Sequence, residues 1–362
     1  MKQFPTLAAL AFAVACAQAQ RAAPYLEAAQ QAQAAHDLPT AVRNYRAYLD
    51  GHPKSSEAHI ALSSVLSDQK DYGAAVKELQ LAVPLVGKKQ RPALLLDIGL
   101  AEIKNNDIPA ARREFQAALE LDPRNLLAAA FLANTDLHRN DPEAALKDLG
   151  ALGALADQSP ELAAAYGDAL VRTGQLHQGA TILARVADTK DDAALFTEAG
   201  CAFLQDSEPD QARRALESAH RLAPQDAKID ALAGIARILM SDPFAAESAF
   251  REALALEPDN FLANLYMGIT LLSRRDGESA AKPFFDRALQ LPLPASKPLK
   301  EGGVFQTDSG SLDPAIALLK QIATNSPSNP APHLQLAAVY AKLNRTAEAA
   351  AERRLAASLA TP

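Results

Sequence analysis

Residues 231–259 read ALAGIARILMSDPFAAESAFREALALEPD, and this stretch carries the plan of the whole chain. Gly234 lies within a first apolar run. Ala246, Phe250 and Ala253 follow at i, i+4 and i+7, one face of a second helical run. Pro258 comes twelve residues after Ala246. Proline lacks a backbone donor and biases the residue before it away from helical geometry, so it ends that run. The predicted unit is helix, turn, helix and a short loop.

Outward from there the unit recurs in both directions. Its anchors are Ala41, Ala75, Ala111, Ala145, Gly179, Ala212, Ala246, Ala281, Ala315 and Ala349, spaced about 34 residues apart. A bulky residue follows four places on, at Tyr45, Leu79, Phe115, Leu149, Leu183, Leu216, Phe250, Phe285 and Leu319. A small residue precedes by twelve, at Ala29, Ser63, Gly99, Ala133, Gly167, Gly200, Gly234 and Ala337, with Gly268 one place off. Glycine inside a helix costs up to about 1 kcal/mol against Ala. Its recurrence at one phase therefore predicts two helices crossing too closely for a larger side chain. A period this regular predicts an all-α fold, an α-solenoid of about ten helix-turn-helix repeats of 34 residues. In such an array each unit buries its apolar face only against its neighbours.

The small–bulky–small–Pro pattern resembles the tetratricopeptide repeat, a pair of antiparallel helices, over about Pro24 to Ala360. The family's frequent Trp is absent, and Tyr25, His59, Leu95, Phe196 and His333 take its place. The resemblance implies a right-handed superhelix that binds peptides or proteins along the concave face formed by the first helices. Repeat nine, about 294–327, departs from the pattern. Pro294, Pro298, Gly302, Gly303 and Gly310 make its first helix degenerate, with a short or broken helix expected over Leu299–Gln306. Two readings of it stand, repeat decay and a recognition loop or hinge.

Composition narrows the function. Of 362 residues 49% are hydrophobic but only 5% aromatic, which suits close helix packing through Ala. The net charge of −7 argues against nucleic acid as a partner, since phosphate binding rewards a basic surface. Residues 1–19 read as a signal peptide: Lys2, an apolar Leu7–Ala15, then Ala17-Gln18-Ala19 as a cleavage site. The apolar stretch is too short to span a bilayer. The expected product is the solenoid, 20–362, exported to the periplasm or secreted. Ala13-Val14-Ala15-Cys16 also resembles a bacterial lipoprotein box. The alternative is thus a chain anchored by lipid on Cys16 within an envelope assembly complex, the one case with a membrane partner. After ordinary cleavage Cys201 is the single remaining cysteine, read as a buried helical residue rather than a reactive thiol.

No catalytic signature occurs: there is no G-x-S-x-G, H-E-x-x-H, Walker A or G-x-G-x-x-G sequence. No enzyme, cofactor or metal site is expected. The seven histidines include no i, i+3 or i, i+4 pair, and His59 and His333 are expected to face the core with their ring nitrogens satisfied locally. Arg112–Arg113, Arg213–Arg214, Arg274–Arg275 and Arg353–Arg354 read as solvated faces, and Lys88, Lys89 and Arg91 as a surface loop.

The resemblance also places the inner wall, at three before, one after and four after each small residue. Repeats four to six then offer Asn134, Asp168 and Thr197, with Glu161, Arg172 and His138 close by. Repeats seven and eight offer Ile235, Ile238, Leu265, Ile269 and Leu272, with Tyr266 adjacent. A polar middle followed by an apolar stretch would seat an amphipathic helix or hydrophobic peptide segment, unless these residues pack against neighbouring helices. An active site built from Glu161, Asp168 and His138 is the reading from another class. A clamp for a C-terminal carboxylate is not expected, because Glu161 and Asp168 stand where it needs Lys or Arg.

Overall fold

The computed structural model describes residues 24–274, 277–292, 296–297, 306–307, 313–325 and 327–360. The leader, Cys16 and Leu299–Phe305 lie outside the described residues. Helices follow one another in pairs. The first four repeats are α1 (24–34) with α2 (Leu38–Gly51), α3 (Ser56–Asp68) with α4 (Tyr72–Ala82), α5 (Arg91–Lys104) with α6 (Ile108–Leu121), and α7 (Leu126–His138) with α8 (Pro142–Leu149). A 3₁₀ segment, Gly150–Gln158, comes next. Repeats five to eight are α9 (Pro160–Arg172) with α10 (Leu176–Lys190), α11 (Ala193–Gln205) with α12 (Pro209–Leu222), α13 (Ala227–Leu239) with α14 (Pro243–Leu256), and α15 (Phe261–Leu272) with α16 (Glu278–Gln290). Then come α17 (Asp313–Asn325), the second helix of repeat nine, and α18 (Ala331–Lys342) with α19 (Thr346–Ala360).

The turn inside each pair is built from one local rule. The fifth residue before the anchor is left-handed at His36, Lys70, Asn106, Asn140, Gly174, Ser207, Ser241 and Asn344. The next amide then reaches back over the end of the first helix, as from Asp71 to the Leu66 carbonyl and from Asp242 to that of Arg237, both at 2.9 Å. That next residue also starts the second helix. Asp37, Asp71, Asp107, Asp141 and Asp242 each accept a hydrogen bond from the amide three residues on. Such a cap is worth about 1 kcal/mol. Gln175 and Glu208 hold the same position without a side-chain cap.

Packing follows the phases read from the sequence. Every anchor is buried, as is every bulky residue four places on. The small residue of the first helix faces that bulky group: a Cβ on Gly234 would stand 2.4 Å from a ring carbon of Phe250, and one on Gly200 2.7 Å from Leu216. Repeat five is tighter still. Glycine occupies both helices there, and a Cβ on Gly179 would meet the Gly167 carbonyl oxygen at 2.6 Å.

The chain divides into two compact units, Met1–Leu162 and Ala163–Pro362. The first contains two apolar clusters, one around Tyr45 and Leu62 and one around Leu94 and Phe115. The second has one continuous cluster running from Val171 to Ala349. Among the described residues of repeat nine, one differs from expectation. Gln306, placed in a helix by sequence, instead pairs with Lys297 in a two-residue antiparallel ladder, β1 (Ser296–Lys297) with β2 (Gln306–Thr307). No helix among the described residues is long and apolar enough to cross a membrane.

Candidate functional site

The polar residues named for the inner wall fall in both units. In the first, Asn134 is half-buried on α7 and His138 is exposed at the end of that helix. Glu161 accepts a hydrogen bond from the Ser159 hydroxyl at 3.1 Å. In the second, Arg172 Nε donates to Asp168 Oδ1 at 2.6 Å across one turn of α9, with 18% and 19% of the side chains open. Thr197 is turned inward, its hydroxyl donating to the Ala193 carbonyl at 2.7 Å. Cys201 is helical, as expected, but half-buried rather than buried, packed at the margin of the apolar cluster.

The apolar set corrects an expectation. Ile235, Leu265, Tyr266, Ile269 and Leu272 are all buried, and Ile238 is half-buried. They do not line an open strip. The cause is packing: α15 lies against α13, α14, α16 and α17, and Tyr266 stacks on Phe250 at 6.3 Å. Exposed apolar groups at the inner-wall phase occur elsewhere: at Leu334, three before Ala337 in the second unit and 50% exposed, and at two positions in the first unit. Ile60, three before Ser63, and Ile103, four after Gly99, are each 36% exposed. Leu100, one after Gly99, is half-buried. The phase rule that picked repeats seven and eight also points to these residues when applied to repeats two and three.

Charged side chains tie second helices to the first helix of the next repeat. Arg112 Nε donates to Asp136 at 2.7 Å, and its terminal nitrogen reaches Asp148 at 2.5 Å. Asp136 is fully buried, so Arg112 is a structural tie and not part of a solvated face. The hydrogen bond to Asp136 holds the Arg112 guanidinium above its usual range, and burial raises the Asp148 carboxyl, helped by Asp136. Buried Glu247 pairs with Arg251 one turn along α14 and with Arg274 just past the end of α15. Arg214, Arg353 and Arg354 do face solvent. Of the basic loop, Lys88 and Lys89 are exposed, while Arg91 is half-buried.

In four repeats the position vacated by Trp is filled by a polar group with a nearby partner. His59 Nδ1 meets Glu78 and His333 Nδ1 meets Glu352, both at 2.7 Å, and His59 Nε2 lies 3.2 Å from the Pro53 carbonyl. The expectation is met by His59, which is buried with both ring nitrogens partnered, while His333 is half-buried with its Nδ1 partnered. Two further occupants were not read. Asn264 donates to the Pro258 and Asn260 carbonyls, and Asp230 pairs with His220 at 2.7 Å. Burial raises the Asp230 carboxyl above its ordinary value, with His220 pulling against that rise.

Among the described residues, one group of side chains could hold a metal ion: His177, Asp206 and Glu208, whose donor atoms all lie within 4.8 Å of one another. His177 Nδ1 is 2.8 Å from Glu208 Oε2 and 4.0 Å from Asp206 Oδ2. Sequence spacing did not suggest it, because these residues come from consecutive repeats.

The tetratricopeptide repeat family matches residues 26–90, 96–163 and 233–296, together more than half of the chain. Among solved structures, the C-terminal part of a TPR repeat-containing protein from Cytophaga hutchinsonii is similar at 16% identity and TM-score 0.50, covering 65% of this chain and 96% of that one. A tetratricopeptide repeat protein from Parabacteroides merdae is similar at 13% identity and TM-score 0.48, covering 69% and 99%. MamA from Desulfovibrio magneticus covers 46% and 94% at 22% identity and TM-score 0.41. At these identities the likeness concerns the fold. No curated protein matches the chain.

Proposed function

This chain belongs to the tetratricopeptide repeat family, and from that premise we propose that it is an exported scaffold binding a protein or peptide partner on its first-helix face. The observation that carries the reading is the exposure of Ile60 and Ile103 at the inner-wall phase of repeats two and three. Leu81 and Leu121 of the same repeats are also exposed, but they lie on the second helices, away from that phase. The open part of each isoleucine at that phase offers area to a partner's apolar side chains. Half-buried Asn134 in the same unit supplies a polar group to set register.

The test is affinity capture from an envelope extract with the chain and with Ile60→Asp/Ile103→Asp. Both positions are exposed, so the variant keeps its melting curve. It should lose the captured partner. Retention of the same partner by the variant rejects this face as the binding surface.

The Ala13–Cys16 box favours a second reading of location, a lipid anchor on Cys16 in the cell envelope. Intact mass separates the two. A chain starting at Gln20 supports export as a free protein, and diacylglycerol on Cys16 supports the anchor.

A further inference from the structure

We propose that His177, Asp206 and Glu208 form a site for one divalent transition-metal ion of the zinc type, clipping repeat five to repeat six. His177 is the second residue of α10, while Asp206 and Glu208 flank the left-handed Ser207 in the turn between α11 and α12. The two turns belong to consecutive repeats and bring one imidazole nitrogen and two carboxylates together. That mixed nitrogen and oxygen set suits zinc and its neighbours, whereas calcium and magnesium take oxygen alone.

The placement of Glu208 is the second observation. It holds the position at which five aspartates cap their helices, yet it makes no cap. Both of its oxygens instead face His177 Nδ1, at 2.9 and 2.8 Å. A local hydrogen bond open to a shorter side chain has been exchanged for a contact 31 residues away in sequence. The imidazole is also braced, edge-on to the Phe203 ring at 6.2 Å.

Donor atoms bound to one tetrahedral zinc ion at about 2.0–2.1 Å stand about 3.4 Å apart. The separations here, 2.8 Å to Glu208 and 4.0 Å to Asp206, fall on either side of that value. All three side chains are partly open to solvent, so small side-chain rotations bring them to it and water can complete the coordination.

The experiment is calorimetric titration of the full chain with zinc chloride, alongside His177→Ala, Glu208→Gln and Cys201→Ser. The wild type and Cys201→Ser should bind one equivalent and melt at higher temperature with zinc present. His177→Ala should bind more than about 100-fold more weakly, a larger loss than removing an outer partner of a metal ligand causes, and should show no thermal shift. Cobalt absorption in the visible range, present in the wild type and absent in His177→Ala, reads the same site through its nitrogen ligand. Saturable binding unchanged in His177→Ala, or no saturable binding by the wild type, overturns the proposal and leaves a simple His–Glu ion pair.

Discussion

On α9 the inner-wall phase carries Asp168, whose carboxylate and the Arg172 guanidinium hold each other while both remain partly open to solvent. On α15 the same phase carries Leu265, Ile269 and Leu272, all buried among α13, α14, α16 and α17. Both helices are first helices of their repeats, and each turns its glycine, Gly167 or Gly268, toward the bulky residue of its own second helix. Phase therefore fixes which way a side chain leaves the helix. What it meets there depends on the neighbouring helices. A charged group at that phase stays near water because desolvating it is costly, and an apolar one is covered wherever a neighbour can reach it.

The contrast is broken most sharply by charge. Ile269→Asp should cost more than about 3 kcal/mol, because a lone carboxylate would be closed inside the second unit. Asp168→Ala, which removes half of a partly open ion pair, should cost less than about 1 kcal/mol. Denaturant titration of both variants reads the difference, and similar midpoints would erase the distinction between the two helices.

Next in size is steric crowding. Gly234→Leu places its Cβ 2.4 Å from Phe250 and should cost about 3 kcal/mol through overpacking of α13 against α14. A thermal melt identical to the wild type would remove the close approach on which the repeat phase rests.

A smaller effect separates two kinds of turn. Asp71→Ala should lose about 1 kcal/mol with its cap, while Glu208→Ala, at the same phase but uncapped, should lose no more than about 0.5 kcal/mol in metal-free buffer. Equal losses would mean that the residue at this phase acts through something other than the cap.

Smallest is a pH effect at Asp230. Burial raises its carboxyl above the ordinary 3.8, so the folded chain keeps that proton to higher pH than the unfolded one. Stability tied to this group is present below the ordinary value and is lost as pH rises through the folded one. Asp230→Asn should therefore gain on the wild type as pH increases from about 4. A difference that stays constant with pH would show that Asp230 titrates alike in both states.

The repeat was legible because its signals are local. Ala246, Phe250 and Pro258 announce a helix face and its end, and ten copies in phase leave little ambiguity. The turn was equally readable in principle: Asp71, Asp107, Asp141 and Asp242 all stand four before an anchor. His59 and His333 could be placed because a hydrogen-bonding ring at a packing phase must find partners nearby. The depth of Leu265 and Ile269 could not be read, since it depends on α13, α16 and α17 together. Nor could the tie from Arg112 to Asp136 and Asp148, or the meeting of His177 with Glu208, where partners 24 to 36 residues apart come together only when repeats stack.

The central claim is that the inner-wall phase is partly open at Asn134 on α7 and Asp168 on α9 and closed at Leu265 and Ile269 on α15. Single cysteines at Asn134, Asp168, Leu265 and Ile269, placed in a Cys201→Ser chain and exposed to iodoacetamide under native conditions, test it directly by intact mass. The account predicts that the Asn134→Cys and Asp168→Cys thiols are alkylated while Leu265→Cys and Ile269→Cys stay unmodified until the chain is unfolded. Alkylation of all four at one rate would contradict it.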